Sequence, residues 1–334
     1  MKRFGLLGLI ASLCFACQKA DSNVQAVWGE ALGTTYHIEY ISPTPSDYTA
    51  AFNRIFNAVN ASMSTYISSS KISRINRGDT PVVVDSLFAE VLQQSRVIWK
   101  KTDGYFDPTI GILVNAWGFG PEQPLAEPDS ATVDSLMRLV GLQKVHLRPD
   151  LRVEKDDPGV SLDFNAIAKG YTVDLIARYL DGQKVKNYLI EIGGEIRAHG
   201  EKSAGQRWTI GIEEPRSDGK RRIMEKRSLE NRSMATSGNY RKFRIDALTG
   251  RKYVHIINPH TGYSAQGKIL SASVLAADCM TADAYATAFM AMGFERTVRF
   301  LNQHENLDAL LIYDSETAMK VYATKGFRQG LQKE

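Results

Sequence analysis

The sequence predicts an α+β fold, built as one compact unit around a largely antiparallel or mixed sheet. Three observations lead there. Helical and strand patterns interleave without the regular βαβ rhythm of a doubly wound fold. Strand-like stretches pair closely at both ends of the folded part, as a first hairpin and a closing pair. Between them lies no repeat and no low-complexity tract, and Pro121–Pro128 reads as a surface loop rather than a linker. The 334 residues are 43% hydrophobic and 23% charged, ordinary globular proportions that allow a sizeable core.

The elements follow in order. Val24–Glu30 and Thr34–Ile41 alternate as strands around a turn at Leu32-Gly33. A helix runs from Ser46 to about Ala61, with Phe52, Ile55, Phe56 and Val59 on one face. Asp85 caps a second helix, which carries Leu87, Val91, Leu92, Ser95 and Trp99 at helical spacing. Asp129–Val140 is a third, stopped by Gly141, and Ala166–Leu180 a fourth. Asn187–Ile192, Trp208–Glu213, Lys242–Ile245, Val254–Ile257 and Ser271–Ala276 read as strands. Cys279–Met292 is a helix ended by Gly293, Arg296–Gln303 another, and Asp308–Tyr313 pairs with Ala318–Ala323.

The N-terminus stands apart. Lys2 and Arg3 precede an apolar run from Phe4 to Ala16, too short to span a bilayer and typical of a signal-peptide core. It ends in Leu13-Cys14-Phe15-Ala16-Cys17 and turns polar at Gln18. This ending resembles a bacterial lipobox, with Cys14 where the usual leucine stands. The resemblance implies cleavage before Cys17 and acylation of its sulfur. The expected organisation is therefore a signal peptide over 1–16, a lipidated cysteine and tether over 17–23, and a folded domain over 24–334. The expected location is the periplasmic face of a bacterial membrane, the inner in preference to the outer. Cys279 then remains the single thiol of the domain, which excludes an intramolecular disulfide framework.

Charge narrows the partners. A formal net charge of +4 with no concentrated basic stripe gives no reason to expect a nucleic-acid binder. The cluster of Lys220-Arg221-Arg222 with Lys226-Arg227 reads as a solvated hairpin tip. Phosphate-binding P-loop, Rossmann, nucleophile-elbow and zincin signatures are all absent.

Several polar and glycine-rich clusters carry the remaining signal. Thr102 to Thr109 leads into Asn115 to Pro121, where glycines flank aromatics. This fits either a tight turn with core aromatics or a stacking surface open to a ligand. Asn165 to Tyr171 opens a helix after a strand. Either it is an ordinary helix start with a solvated Lys169, or a corner whose backbone N–H groups and Lys169 receive a phosphate. Thr236-Ser237-Gly238 gathers hydroxyls and a glycine into one turn. Asp283 and Thr287, four apart, share a helix face among small alanines. A carboxylate and a hydroxyl are hard ligands suited to Mg²⁺, although an Asp on a helix surface would read the same way. His255 sits on a predicted strand before a turn, where a structural histidine is the plainer reading.

Taken together and in order, these clusters resemble the ApbE family of FAD:protein FMN transferases. The matching segments run from Leu32-Gly33-Thr34-Thr35-Tyr36 and Met63-Ser64-Thr65-Tyr66 through Thr102–Thr109 and Trp117-Gly118-Phe119-Gly120. They continue with Ala166 to Tyr171 and Asp174, Gly193-Gly194-Glu195, and Ala235 to Tyr240. His255 to Pro259 with Thr261-Gly262, then Thr281 to Ala284 with Ala286-Thr287, complete them. The sequence departs from the family at Leu32, often Met, and at Asn165-Ala166, often Gly-Gly. The resemblance implies a Mg²⁺ site from Asp283, Thr287 and the Ala166 carbonyl. It implies FAD contacts from Tyr66, Asp103, Lys169, Thr236, Ser237, Gly238 and His255, in a cleft between subdomains. It implies His255, or failing it Asp283, as the catalytic base. The implied reaction moves FMN from FAD to a Ser or Thr hydroxyl of an acceptor flavoprotein, a subunit of a membrane redox complex, and releases AMP. Hydrolysis of FAD to FMN and AMP, or flavin binding without turnover, would use the same cleft.

Overall fold

The computed structural model describes residues 24–332 except 45, 80, 123–127, 217, 219, 241–242, 246–251, 266 and 316. The signal-peptide, Cys17 and tether expectations lie outside the described residues, as do Lys242 and the centre of the Pro121–Pro128 loop.

Strands β1 (Val24–Ala31) and β2 (Thr34–Ile41) form the expected hairpin. Leu32 and Gly33, both at positive φ, make its turn. Helices α1 (Thr49–Met63), α2 (Lys71–Arg77) and α3 (Ser86–Lys101) follow, then α4 (Gly111–Ala116) and α5 (Ser130–Met137). Strands β3 (Val145–Leu147) and β4 (Val153–Lys155) precede α6 (Ala168–Gly182). Next come β5 (Asn187–Ile192), β6 (Glu195–His199), β7 (Glu201–Ser203), β8 (Gln206–Glu213), β9 (Ile223–Leu229) and β10 (Arg232–Gly238). The chain ends with β11 (Phe243–Ile245), β12 (Lys252–Val254), β13 (Ile269–Ala276), α7 (Cys279–Met292), α8 (Phe294–Gln303), β14 (Asp308–Asp314), β15 (Met319–Ala323) and α9 (Lys325–Gln329).

Eight strands form one antiparallel sheet in the order β1-β2-β5-β6-β10-β13-β14-β15. Among the described residues three small antiparallel sheets accompany it, and the α+β expectation holds in a single compact unit. Helix α7 is buried nearly all round, because Ala282, Ala284, Ala286 and Ala288 let α6, β10 and β13 come close. Asp278 caps its start by accepting from the Thr281 N–H. Asp174 of α6 accepts from the Cys279 and Met280 N–H groups and receives Arg197, locking α6 to the first turn of α7. Burial pushes the Asp174 carboxyl up to about 6 despite those bonds.

The two helices touch through backbone at Gly170. A Cβ there would stand 2.3 Å from the Cys279 carbonyl oxygen. Gly170→Ala is accordingly expected to lower stability by about 1–3 kcal/mol through overpacking. A thermal unfolding midpoint equal to that of the native protein would contradict the close approach.

Several expectations need correction. Helix α1 starts at Thr49 rather than Ser46, because Asp47 takes the Thr49 N–H in a local turn. Helix α5 stops at Met137, before Val140. Thr236-Ser237-Gly238 is not a turn: it is the end of β10, held straight by pairing with β13. Strand β12 ends at Val254, so His255 lies just beyond it. The basic cluster is not wholly a solvated tip. Arg227 is buried in β9, donates to the Phe327 and Gly326 carbonyls and lies over the Phe327 ring. Desolvation lowers its guanidinium to about 10. Sequence patterns also left out α2, α4 and α9, each under two turns.

Candidate active site

A cleft of about 1000 Å³ opens beside β2, β5, β10 and α7. Its lining begins at the β1–β2 turn with Leu32 to Thr35. It includes Tyr66, Tyr105 and Phe119 on one side, and Glu191, Gly193, Gly194 and Tyr240 on another. Ala166, Lys169, Thr236, Ser237, Gly238, His255 and Thr287 all reach it. Eight of the residues singled out from sequence therefore line one cavity, though they come from five separate stretches of chain.

Lys169 lines the cleft, whereas Asp283 and Glu195 do not and stand behind it. Lys169 Nζ lies 3.2 Å from Glu195 Oε1 and 3.9 Å from Asp283 Oδ2. Asp283 is 2% exposed and Glu195 is equally enclosed. Burial would lower the Lys169 ammonium, but the Asp283 and Glu195 carboxylates outweigh it and hold the charge. Burial raises both carboxyls against the pull of Lys169, Glu195 to about 8. One cation thus serves two buried carboxylates, and Glu195 Oε2 has no hydrogen-bond partner among the described residues. Sequence reasoning gave Glu195 no role. Its signal was a charged residue following two glycines into a strand whose first two residues are both buried.

The expected phosphate corner is built differently from its prediction. No strand leads directly into α6; between β4 and α6 a single bridge joins Ser161 to Ile110. Most of its N–H groups are spent inside the protein. Asn165 donates to Asp163, and Ile167 and Ala168 to the Phe164 carbonyl. Gly170 N–H donates 3.0 Å to Asp283 Oδ2 across the helix pair, rather than to the carbonyl one turn back. That carbonyl belongs to Ala166, and it accepts no hydrogen bond among the described residues. The corner offers an oxygen and the Lys169 charge, where an array of N–H groups was expected.

The donor set fits a hard divalent cation. The Ala166 carbonyl is left without a donor, and Asp283 Oδ1 accepts no hydrogen bond among the described residues. Thr287 Oγ1 lies one turn along α7, held 3.0 Å from Ser237 Oγ. Among the described residues no three His, Cys, Asp or Glu side chains converge on a metal position. The cation suited to this corner is thus one that accepts few protein oxygens and fills its octahedron with phosphate and water.

Tyr66 is 62% exposed, and its hydroxyl donates to the Phe119 carbonyl at 3.4 Å. Thr236 Oγ1 pairs with Ser273 Oγ at 2.8 Å. His255 lies with its ring 6.3 Å from Phe119. Asp103 is placed elsewhere: it does not line the cleft. It adopts φ +51 in the turn after α3, and its carbonyl faces His260 Nε2 at 2.7 Å. Asp107, four residues on, does line the cleft, and its carboxylate accepts from Trp99, Thr109 and Leu142. That carboxylate braces the wall; Tyr105, its ring tilted against His260 with centroids 4.2 Å apart, lines the cavity.

Fold and cleft together define an α+β protein with a cleft lined by aromatic rings, by a lysine and by hydroxyl groups. The chain belongs to the ApbE family, whose model matches residues 32–311. It is 34% identical over 337 residues to the FAD:protein FMN transferase of Haemophilus influenzae, covering 97% of this chain and 96% of that one. The solved flavin transferase ApbE from Vibrio cholerae superposes with a TM-score of 0.81 at 34% identity, covering 92% of this chain and 99% of that one. The ApbE protein from Thermotoga maritima superposes at 0.82 with 27% identity, covering 93% and 100%.

Proposed function

We propose that this chain is a Mg²⁺-dependent FAD:protein FMN transferase that attaches FMN to a Ser or Thr hydroxyl and releases AMP. The observation that carries the proposal is an aromatic-lined cleft whose lining includes Ala166, Lys169 and Thr287, with the buried Asp283 carboxylate 3.9 Å from Lys169 Nζ and bonded to the Gly170 N–H. Relatives named as FAD:protein FMN transferases extend along nearly its whole length.

In this reading Tyr66, Tyr105 and Phe119 take the flat rings of FAD, and Thr236, Ser237 and Gly238 contact its polar groups. Asp103 acts from behind, by fixing the turn and His260 on which Tyr105 rests. Ala166, Asp283 and Thr287 would hold Mg²⁺, which when bound offsets charge on the pyrophosphate oxygens. Lys169 holds a fixed positive charge at the same place. The acceptor hydroxyl oxygen attacks the FMN-side phosphorus, a new P–O bond forms, and the bond to the bridging oxygen breaks. AMP leaves with that oxygen, while His255 takes the hydroxyl proton. Asp283, already committed to Gly170 and Lys169, is the poorer base.

Incubating the protein with FAD, Mg²⁺ and a flavin-free acceptor subunit of a membrane redox complex tests the reading. Covalent flavin fluorescence on the acceptor with equimolar AMP is expected. FMN and AMP without labelled acceptor would make the protein a hydrolase, and unchanged FAD a binder.

The proposed location is the periplasmic face of a bacterial membrane, the inner in preference to the outer, through a lipid on Cys17. Its support is the charged, apolar and small-residue order of residues 1–17. Cys17→Ser should abolish incorporation of a fatty-acid analogue while FMN transfer by the soluble protein persists. Undiminished label on the variant would refute the anchor.

A further inference from the structure

We propose that the open edge of β1 is the docking strand for an extended segment of the acceptor protein, with Trp28 as its anchor. The proposal rests on the transferase reading and names where its protein substrate binds. Among the described residues, strand β1 is the outermost strand of the eight-stranded sheet and pairs only with β2. No described residue pairs with the backbone N–H and C=O groups of its outer edge, which form a template for another strand. Native sheets normally guard such an edge with proline, lysine or a short strand. The opposite edge, β15, obeys this rule, with five residues and Lys320. Strand β1 does not: its eight residues, Val-Gln-Ala-Val-Trp-Gly-Glu-Ala, contain no proline and no cation. Trp28 is 72% exposed on it, with Val24 on the same face.

This edge ends beside the cleft, whose lining begins at the turn after β1 with Leu32 and Gly33. Trp28 stands in register with His37 of β2, His37 with Glu191 of β5, and Glu191 with Ile196 of β6. The last two line the cavity. Lengthwise, β1 ends at a hollow of about 510 Å³ formed by Glu30, Ala31, Gly33, Thr34 and Thr35. Three of these, Gly33, Thr34 and Thr35, also line the main cleft. A hydroxyl must reach the phosphate corner from outside, and an extended segment can enter where a folded surface cannot. From Trp28 to Ala31 is about 10 Å at strand rise. A segment paired along β1 thus places a hydroxyl three or four residues beyond its Trp28 contact at the cleft mouth. Main-chain pairing gives affinity with little demand on sequence, and Trp28 supplies the side-chain contact.

Trp28→Lys tests this, because an exposed edge position tolerates lysine without loss of fold. With the flavin-free subunit of a membrane redox complex as acceptor, KM for the acceptor should rise about tenfold or more. FAD affinity, measured by titration without acceptor, should stay within about twofold, since Trp28 is outside the cleft. An unchanged acceptor KM overturns the docking strand while leaving the transferase reading intact. A native protein that labels no acceptor overturns both. If the native protein sediments as a dimer that Trp28→Lys dissociates without raising KM, the edge pairs two copies of this chain and the proposal fails.

Discussion

Asp283→Ala is expected to lower single-turnover FMN transfer by at least about 100-fold, the loss typical of a large electrostatic contributor. The carboxylate has three tasks at one point. It accepts the Gly170 N–H, it offsets Lys169, and in the proposed reading its Oδ1 would hold the cation. Alanine ends all three and leaves the Gly170 N–H buried without an acceptor, so part of the loss could come from the fold. Asp283→Asn separates the two effects. Its amide oxygen can still accept from Gly170, while the negative charge is gone. The asparagine variant should unfold near the native midpoint yet need far more Mg²⁺ for any transfer. Thr287→Ala removes a neutral ligand and should be milder. A second signature follows from burial, which raises the Asp283 carboxyl above its ordinary value. The cation requires the ionised form, so Mg²⁺ affinity should strengthen as pH rises through that raised titration and weaken as pH falls. An Asp283→Ala protein with native activity at limiting Mg²⁺ would remove the cation from this corner.

Much of this site was legible in the sequence, for identifiable reasons. Helix α7 reads to its residue limits because Asp278 caps it and Gly293 stops it, both local signals. Asp283 and Thr287 share a face by helical period alone. What the sequence concealed depends on contacts between distant segments. Thr236 to Gly238 has turn composition, yet pairing with Ser271 to Ser273 draws it into a strand. Lys169 looks like a surface lysine at a helix start, because nothing local shows Glu195 arriving from β6. The spare Ala166 carbonyl exists only because Gly170 donates across to α7 instead of along its own chain. Arg227 follows the same logic: its neighbours in sequence are basic and exposed, but α9 folds over it. Asp103 and Asp107 illustrate the reverse case. Both sit in one matched segment, and only backbone geometry decides that Asp107 meets the cleft while Asp103 turns its carbonyl to His260.

His255→Ala is expected to slow FMN transfer by roughly 10²–10⁴-fold, the usual contribution of a positioned general base. The residue lies just past the end of β12, on the cleft wall near Phe119. Imidazole suits a proton acceptor at neutral pH better than the other groups at this end of the cavity. Lys169 is held protonated by two carboxylates, and Asp283 is tied to Gly170. If His255 acts on the hydroxyl proton, its loss falls on the transition state, and FAD affinity by calorimetry should change little. If it only packs against FAD, the pattern inverts: binding weakens and the rate at saturating FAD survives. His255→Gln sharpens the distinction, since an amide retains a hydrogen-bonding contact to ligand but cannot accept a proton as a base. The glutamine variant should bind FAD like the native protein and transfer as slowly as the alanine variant. Transfer at the native saturated rate by either variant would show that the hydroxyl loses its proton without His255.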